Sequence, residues 1–525
     1  MSVSRRRFLG LGGAGTAAVL LGTGSWDAST TFAAPKAGNP FTLGVASGDP
    51  RHDGVVLWTR LAPDPFAVDG RAGMPARPVR VEYEVSRDPL FRHVVRRSSV
   101  VATPELGHSV HPEVHGLAPD REYYFRFRTA GEISPIGRTK TTPQPLANPR
   151  ELRFAFASCN AWQDGYFTAY EHLANEDLDL VVHLGDYLYE SGVKTNRRGV
   201  VTDPRFHTET FDLARYRLQY SLYKSELPLQ QAHARFPWIQ TIDDHEVENN
   251  WAGDLSQADT EPDQDPAVFR VRRAQAFQAM YENMPLRHDQ MPSGPDVKLH
   301  RRLPYGRLAD ITMLDTRQYR SDQPCGDGAS AVCDDRFDPD NTMLGGKQRK
   351  WLLDGFRQSR ARWQVLGNQA PMGQTDWEPG PTTHVWLDPW DGYVAERNQV
   401  LAAAQDSGVR NLVVITGDRH QNYALDLKRD FADPASRVVG TEFVGTSITS
   451  GGDGADTTPQ GENFLAANPH LKFFNAQRGY VRVTVDRQRW RSDFRVVPYV
   501  TTPGAPISTR ASYVVEDRRP GVQAL

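Results

Sequence analysis

The 525-residue sequence lacks an excess of one charge, a long hydrophobic run beyond its start, and a dense set of cysteines. Its 61 Lys and Arg residues stand against 64 Asp and Glu residues, a formal net charge of -3. This excludes the strongly basic balance of a typical nucleic-acid-binding protein. After residue 34, no apolar stretch reaches the ~20 residues that a membrane-spanning helix needs. We therefore expect neither nucleic-acid binding nor a stable membrane span.

The composition that is present is typical of a globular enzyme. Hydrophobic residues make up 39% of the sequence and aromatic residues 10%, which is enough apolar surface to form a core. A single hydrophobic core stops growing at about 250–300 residues, so a chain of this length is expected to form at least two domains.

Residues 1–34 have the character of an export signal. Three arginines at positions 5–7 precede a run of apolar and small residues, and Ala33 and Ala34 offer a cleavage site. Residues 4–9, Ser-Arg-Arg-Arg-Phe-Leu, resemble the twin-arginine signal that a translocase reads. We expect export by the twin-arginine translocase and an extracellular product. The alternative is an uncleaved membrane anchor, for which the run is short and rich in glycine and alanine.

The three cysteines fall into two classes. Cys325 and Cys333 lie in one polar loop that is rich in glycine and aspartate, and an extracellular chain could oxidise them to a disulfide. Cys159 has no such neighbour and needs a separate explanation, either as a buried core thiol or as a ligand.

Two patterns divide the chain after residue 34. Residues 39–148 contain short strands that alternate apolar and polar side chains, which favours a β-sandwich of fibronectin or immunoglobulin type. Three prolines in residues 143–149 indicate a linker. From 150 to 500, apolar strands alternate with helical stretches, as in α/β domains. Residues 501–525 form a C-terminal tail that the pattern does not place.

Side chains of metal-ligand type follow successive apolar strands in the second region. In α/β sheets, binding sites form at the carboxyl ends of the strands. We therefore expect these side chains to meet at one edge. They are Cys159, Asp186, Tyr189, Asp243, Asp244, His245, Glu246, Asn368, Asp418, Arg419 and His420.

Each strand end taken alone also has an ordinary structural explanation. Asp186 could cap a turn, residues 243–246 could begin a solvated helix, and Cys159 could be a core residue. Taken together, however, so many titratable groups are costly to crowd after buried strands unless a cation neutralises them. Thiolate and phenolate ligands favour a transition metal such as ferric iron, whereas carboxylates and carboxamides suit Ca²⁺. Two metals together form a clamp for displacement at phosphorus.

The sequence motifs at these strand ends resemble those of a known enzyme family. Residues 185–189, Gly-Asp-Tyr-Leu-Tyr, look like the GDxxY element of metallophosphoesterases, and residues 417–420 resemble their GHxH element with Asp418 in place of the first histidine. Segments 41–50, 158–160, 243–251 and 417–421 are similar to the alkaline phosphatase D (PhoD-like) family, which includes secreted relatives that resemble phospholipase D. The resemblance extends over nearly all of the chain after residue 34.

The resemblance implies a fold, an activity and two cofactors. The expected fold is an N-terminal β-sandwich followed by a four-layer αββα metallophosphoesterase domain. The expected activity is hydrolysis of phosphate mono- and diesters by a metal-activated hydroxide or oxide. The expected cofactors are Fe³⁺ and Ca²⁺.

The resemblance also implies roles for individual residues. Asp186 would bridge both metals, and His245 would sit beside the leaving-group oxygen as acid or bind phosphate. From its position next to the ligands, Arg419 could add a hydrogen-bond donor to phosphate. Arg419 could equally form a structural salt bridge, and Asn160 departs from the glutamine expected after the cysteine. The remaining ligands would be Cys159, Tyr189 and His420 for iron, and Asp244, Asp418 and Asn368 for calcium.

Two other functions remain open from the sequence. Trp377, Trp386, Trp390 and Tyr393 could form an aromatic rim that touches lipid, as a phospholipase D acting on phospholipid head groups would need. A non-catalytic binding protein could use the β-sandwich to hold a partner, although the intact set of ligand-type residues argues against it.

Overall fold

The structure, a computed structural model, describes residues 38–330, 332–433 and 435–525. The predicted export signal in residues 1–34 lies outside these residues. None of the helices in the described ranges is long and apolar enough to cross a membrane.

The N-terminal region contains nine short strands. In the seventh of them, buried Tyr123, Phe125 and Phe127 alternate with more exposed neighbours, which is the period-two pattern of a half-buried strand. The strands are β1 (Val45–Arg51), β2 (Gly54–Arg60), β3 (Val79–Ser86), β4 (Val94–Ala102), β5 (Ser109–Val110), β6 (Glu113–His115), β7 (Glu122–Thr129), β8 (Glu132–Ile133) and β9 (Gly137–Lys140).

Strands and helices alternate after residue 150. The strands are β10 (Glu151–Ala157), β11 (Leu180–His183), β12 (Pro237–Gln240), β13 (Arg301–Tyr305), β14 (Ala309–Met313), β15 (Ala329–Ser330), β16 (Trp363–Asn368), β17 (Val385–Trp386), β18 (Leu412–Thr416), β19 (Asn422–Lys428), β20 (Val438–Val444), β21 (Leu471–Asn475), β22 (Arg478–Asp486), β23 (Arg489–Val497), β24 (Ser508–Glu516) and β25 (Arg519–Ala524). The helices are α1 (Thr168–Leu173), α2 (Leu213–Lys224), α3 (Leu227–Arg235), α4 (Pro266–Asn283), α5 (Gly345–Gln358), α6 (Val394–Asp406) and α7 (Pro459–Ala467).

Two large sheets face each other across a shared apolar core. The first has the order β25-β24-β23-β22-β10-β11-β12-β1-β2-β5, with β6 beside β2, and the second has the order β13-β14-β16-β18-β20-β19-β21. Phe156 and Val182 of the first sheet pack with Val365, Ile415 and Phe443 of the second in one buried cluster. Burial of this apolar surface holds the sheets together.

Helices cover the outer face of each sheet. On the first sheet, buried Tyr170 of α1, Tyr220 of α2 and Phe277 of α4 pack in one cluster with Val181 and Trp238. On the second sheet, helices α5, α6 and α7 supply the corresponding apolar side chains. The result is the expected four-layer αββα arrangement, which confirms the predicted α/β fold class.

The N-terminal region shares a sheet with the region that follows it. Strands β3, β4, β7, β8 and β9 form a separate five-stranded sheet, whereas β1 and β2 extend the eleven-stranded sheet because β1 pairs in parallel with β12. Residues 34–525 form one compact unit. The first large sheet therefore contains strands from both sides of residues 143–149, where the sequence indicates a linker.

The segment that the sequence separated as a C-terminal tail, residues 501–525, continues the same sheet. Strand β24 pairs with β23, and β25 pairs with β24 at the sheet edge. The predicted bond between Cys325 and Cys333 is confirmed, since the two residues form a disulfide.

Candidate metal centre

The carboxyl ends of parallel strands from both large sheets converge on one site. Strands β10, β11 and β12 run parallel in the first sheet, and β14, β16, β18 and β20 run parallel in the second. Each delivers a polar turn at its end, where α/β sheets form their binding sites.

Several turn residues at this site adopt the left-handed backbone region. The φ angles are 63° for Cys159, 55° for Asp186, 65° for Asp418 and 55° for His420. Such angles are uncommon for residues other than glycine and cluster at functional sites, where they cost on the order of 1–3 kcal/mol each. The backbone strain at these four residues therefore lowers the stability of the fold while it orients their side chains.

The turns from β11 and β12 approach each other closely because Gly185 has no side chain. A Cβ atom added at Gly185 would lie 2.5 Å from the Cβ atom and backbone nitrogen of Asp243. The carboxylate of Glu246 reinforces this contact by accepting the backbone N–H groups of Asp186, Tyr187 and Asp243 at 3.1, 2.7 and 2.9 Å. Glu246 thus positions two turns and does not face the site.

The first group of candidate ligands combines a thiol, a carboxylate, an imidazole and a phenol. Cys159, Asp186 and His420 each offer one ligand atom, and these atoms lie within 4.8 Å of one another. The Tyr189 hydroxyl lies 3.1 Å from Oδ2 of Asp186 and 3.0 Å from Nε2 of His420. This is the donor set that the sequence predicts for ferric iron.

The second group shares Asp186 with the first. Ligand atoms of Asp186, Asp244 and His245 also lie within 4.8 Å of one another, so Asp186 occupies the position expected of a bridging carboxylate. Asp418 lines the same cleft as these residues.

Two buried carboxylate oxygens at the centre are not satisfied by the protein. Asp186 and Asp244 are only 2% and 3% exposed, and the Oδ1 atom of each has no hydrogen-bond partner among the described residues. Burying an ionised carboxylate without compensation is unfavourable. Oδ1 of Asp244 lies 3.7 Å from Nη2 of Arg317, whereas Asp186 has no salt-bridge partner among the described residues. A cation bound at Asp186 would compensate its charge, so this set of residues fits a metal centre.

Burial is the main cause of the pKa shifts of four groups at the site. Burial, reinforced by neighbouring carboxylates, raises the pKa of the Asp186 carboxyl, the Cys159 thiol and the Tyr189 hydroxyl well above their ordinary values. Burial and nearby cationic groups lower the pKa of His420 to about 3. A bound cation favours the anionic form of the first three groups and the neutral form of His420.

His245 is fixed by a carboxylate that the sequence analysis missed. Its Nδ1 atom lies 2.8 Å from Oε2 of Glu190, and its ring centroid is 4.0 Å from that of Tyr189. Burial lowers the pKa of His245, but the carboxylates of Glu190, Asp244 and Asp186 outweigh burial and raise the pKa well above its ordinary value. Glu190 follows the GDxxY-like element directly, which is the signal that could have identified it.

Asn368 is placed near the centre but its amide is already engaged. The side chain is fully buried, its Oδ1 accepts a hydrogen bond from the Trp390 indole at 3.1 Å, and its Nδ2 donates to the Ala370 carbonyl. The Trp390 indole occupies one of the two acceptor positions of the Oδ1 atom, so the role of Asn368 as a ligand stays a prediction.

A buried arginine network lies behind the second group. Nε of Arg317 donates to Asp243 at 2.6 Å, and its two Nη atoms bond both oxygens of Asp388 at 2.9 and 3.1 Å. Arg320 also reaches Asp388, at 3.1 Å. The sequence analysis missed this network, although residues 315–317 follow strand β14 in the same way that the other polar turns follow their strands.

The metal centre opens into a cleft of about 440 Å³ with a mixed polar rim. The guanidinium carbon of Arg419 lies 5.3 Å from the Trp386 ring centroid, and its Nε has no hydrogen-bond partner among the described residues. Arg419 is therefore part of the cleft lining, with its Nε atom buried. The lining residues are Asp186, Asp244, His245, Asn249, Asn250, Gln257, Asp327, Gly328, Trp386, Asp388, Pro389, Asp418, Arg419 and His420.

The predicted aromatic rim is not formed as a unit. Trp390 and Tyr393 are fully buried in the core of the second sheet. Of the four aromatic residues named from the sequence, Trp386 is the one that lines the cleft.

Comparisons with known proteins agree with the geometry. The sequence model of the PhoD-like phosphatase family matches residues 154–494, and that of the PhoD-like phosphatase N-terminal domain matches residues 26–143. The chain is 48% identical to alkaline phosphatase D of Bacillus subtilis (strain 168), over 92% of this chain and 82% of that protein. A solved structure of PhoD superimposes with a TM-score of 0.89 and 46% identity, covering 94% of this chain and 93% of that one.

Proposed function

Because this chain belongs to the PhoD-like phosphatase family, we propose that the cleft beside Asp186 is the active site through which it hydrolyses phosphate mono- and diesters. The 48% identity to an alkaline phosphatase along nearly the whole chain makes it a hydrolase of phosphate esters. The two family models together match residues 26–143 and 154–494.

One observation carries the placement of the active site. Asp186 belongs to both groups of ligand atoms and its Oδ1 atom is buried without a partner among the described residues. A carboxylate shared in this way is what two neighbouring metal ions require. The cleft above it is large enough for a small phosphate ester and its leaving group.

We infer that the two ions are Fe³⁺ and Ca²⁺. The first group, with its thiol, phenol and imidazole, suits iron, and the carboxylates of the second group suit calcium. When bound, such a pair of ions activates water and neutralises charge on the phosphoryl oxygens. The iron ligands would be Cys159, Asp186, Tyr189 and His420. The calcium ligands would be Asp186, Asp244, Asp418 and Asn368, whose amide oxygen keeps a second lone pair beside the hydrogen bond from Trp390.

His245 is the proposed proton donor to the leaving-group oxygen. Glu190 holds its Nδ1 side at 2.8 Å, which leaves Nε2 as the nitrogen that can carry a proton toward the substrate. Of the charges that raise the pKa of His245, the carboxylate of Glu190 has the largest effect and favours a proton on the ring. Arg419, whose guanidinium group lines the cleft, is the proposed donor to a phosphoryl oxygen.

We also propose that the enzyme acts outside the cell after twin-arginine export. Support comes from the arginine-containing signal in residues 4–9 and from the Cys325–Cys333 disulfide, a bond typical of oxidising compartments. A fully folded export substrate would acquire its metals before it leaves the cytoplasm.

Turnover of three substrates tests the proposed activity. We expect the purified enzyme to hydrolyse nitrophenyl phosphate and bis-nitrophenyl phosphate, with a much lower rate on phosphatidylcholine. Asp186→Asn should lower kcat by more than about 100-fold, since loss of groups that merely orient ligands already costs 10- to 100-fold. Asp340→Asn, which removes an exposed carboxylate, is the matched control.

Preferential cleavage of phosphatidylcholine would instead establish the phospholipase D function. Absence of turnover of all three substrates by protein with metals bound would contradict the proposal.

A further inference from the structure

A second cavity lies far from the metal centre and is lined mainly by arginine. It has a volume of about 140 Å³, and its lining contains no acidic residue. Five separate chain segments contribute to it. The lining residues are Asn148, Pro149, Arg307, Leu308, Arg360, Ala361, Arg362, Arg410 and Arg487.

The backbone holds these arginines together. The backbone N–H of Arg362 donates to the Arg307 carbonyl at 3.0 Å, and that of Arg307 donates to Ala147 at 2.8 Å. The Arg362 side chain donates to the Arg487 carbonyl at 2.9 Å. The cavity is therefore built by the fold and is not a chance meeting of long side chains.

The cavity and the metal centre lie at opposite ends of the second sheet. Arg362 directly precedes β16, which ends at Asn368, and Arg410 precedes β18, which ends just before Asp418. At about 3.3 Å per residue, these strands separate the two sites by roughly 17–20 Å. A small ester bound at the metal centre cannot reach the arginines, so the cavity is not a part of the active site.

One carboxylate from the C-terminal hairpin already occupies one side of the cluster. Asp517 accepts hydrogen bonds from Nε of Arg410 and Nη1 of Arg362, both at 2.8 Å. The hydrogen bond from Arg410 and the charges around it lower the pKa of Asp517 to about 2. The cluster thus binds an anion that the chain itself supplies.

The other three guanidinium groups have no such partner. Arg307, Arg360 and Arg487 are exposed, and none of them has an acidic group within salt-bridge distance among the described residues. Five permanent positive charges meet one carboxylate here. Like charges disfavour one another unless an anion binds between them, and guanidinium forks match the oxygens of phosphate groups.

We propose that this arginine cluster is a binding site for a phosphate group, separate from the active site. A phosphate group carries about two negative charges and at least three acceptor oxygens, more than a single carboxylate offers to three free guanidinium groups. The group can come from free phosphate, the product of the reaction, or from a polymer that carries phosphate along its length.

Binding of methylenediphosphonate to the metal-loaded enzyme, measured by calorimetry, tests the site. Its two phosphorus atoms are joined through carbon and not through an ester oxygen, so the enzyme cannot hydrolyse it after binding. We expect two binding events: one lost in Asp186→Asn, and one weakened at least about tenfold when Arg307, Arg360 and Arg487 are all changed to Gln. The triple variant should keep its rate on nitrophenyl phosphate. Arg487→Gln alone should show part of the effect.

A matched triple variant separates a site from general attraction. Arg80, Arg87 and Arg121 are exposed and form no salt bridge with a described residue, and changing them to Gln alters the net charge by the same amount. The control should bind within about twofold of the unchanged enzyme, because screened surface charges act weakly. Equal weakening in both triples, or a single binding event that Asp186→Asn abolishes, would overturn the proposal.

Two further probes identify the source of the phosphate group. Binding of inorganic phosphate that depends on Arg307, Arg360 and Arg487 would assign the site to free phosphate. Binding of long-chain polyphosphate with the same dependence, when inorganic phosphate does not bind, would assign it to a polymer. Failure of both probes would overturn the proposal.

Discussion

At the scale of single residues, the candidate site depends on side chains whose partners are other charged groups. The Glu190–His245 pair is the clearest case, because Glu190 is itself a member of neither group of candidate ligands yet fixes the ring of the proposed proton donor. Its second oxygen accepts the backbone N–H of Asn249 at 3.1 Å, which holds the carboxylate itself in place.

Replacing Glu190 with Gln is therefore predicted to slow hydrolysis of esters with poor leaving groups. The amide cannot stabilise a protonated His245, so proton donation weakens and kcat falls by about 10- to 100-fold. Nitrophenyl esters need little protonation and should be affected less. The measurement is kcat for nitrophenyl phosphate and for an alkyl phosphate, each over a range of pH.

The matched control for this change is Glu171→Gln, an exposed glutamate on α1. It should leave both rates and both pH profiles unchanged. An equal loss of rate for the two leaving groups in Glu190→Gln would show that Glu190 supports the structure without directing the proton.

The position of a residue directly after a strand predicted most, but not all, of the candidate site. Cys159, Asp186, Tyr189, Asp244 and His420 are brought together because each follows a strand whose carboxyl end reaches the same edge. Asn368 follows the same rule, yet its amide bonds Trp390, a contact that depends on side-chain packing and leaves no periodic signal. Their roles as metal ligands remain predictions.

At the scale of elements, the turn after β14 carries the network that neutralises the second group. Arg317 is fully buried and pairs with Asp243 and Asp388. Arg320 offers Asp388 a second partner, but Asp243 has a salt-bridge partner only in Arg317 among the described residues.

Arg317→Met is predicted to lower the free energy of unfolding by about 3–5 kcal/mol, because it leaves the Asp243 charge buried and uncompensated. Arg357→Met, which removes an exposed arginine paired with Asp354, should change it by no more than about 1 kcal/mol. Denaturant unfolding of both variants checks the difference. Similar values for the two variants would contradict a structural role for the network.

The loop closed by Cys325 and Cys333 forms one wall of the cleft. Asp327 in this loop accepts hydrogen bonds from Asn250 at 3.1 Å and Gln257 at 3.0 Å. Strand β15 of the same loop pairs with β17, which carries Trp386. The disulfide therefore crosslinks the loop that forms this part of the cleft rim.

Changing both cysteines of this loop to Ser is predicted to raise KM more than it lowers kcat. The rim would lose its crosslink, worth about 2–3 kcal/mol for a loop of this length, whereas the candidate ligands on other elements stay in place. Steady-state kinetics of the double variant give both constants. An unchanged KM would show that the rim does not contact substrate.

At the scale of the whole molecule, the four-layer order was predictable. The pairing of N-terminal strands with the first large sheet was not. Alternating strands and helices indicated an α/β domain, the family resemblance implied two covered sheets, and the structure has both. The pairing of β1 with β12 joins residues about 190 positions apart in sequence. Alternation shows which face of a strand is buried but not which strand lies beside it.

The C-terminal residues teach the same lesson. Residues 508–524 form the outermost two strands of the first sheet, although proline, threonine and serine nearby make the segment look irregular. Pro503 and Pro506 precede β24 and so interrupt neither strand, and Pro520 lies in β25, the edge strand, where proline is tolerated. Composition therefore predicts an edge position poorly.

The central claim is a two-metal centre whose ions share Asp186, and elemental analysis of enzyme exported by its own host tests it most directly. We predict about one iron per chain together with calcium, and loss of both in Asp186→Asn but not in Asp340→Asn. Zinc as the sole metal, or full retention of iron and calcium in Asp186→Asn, would contradict it.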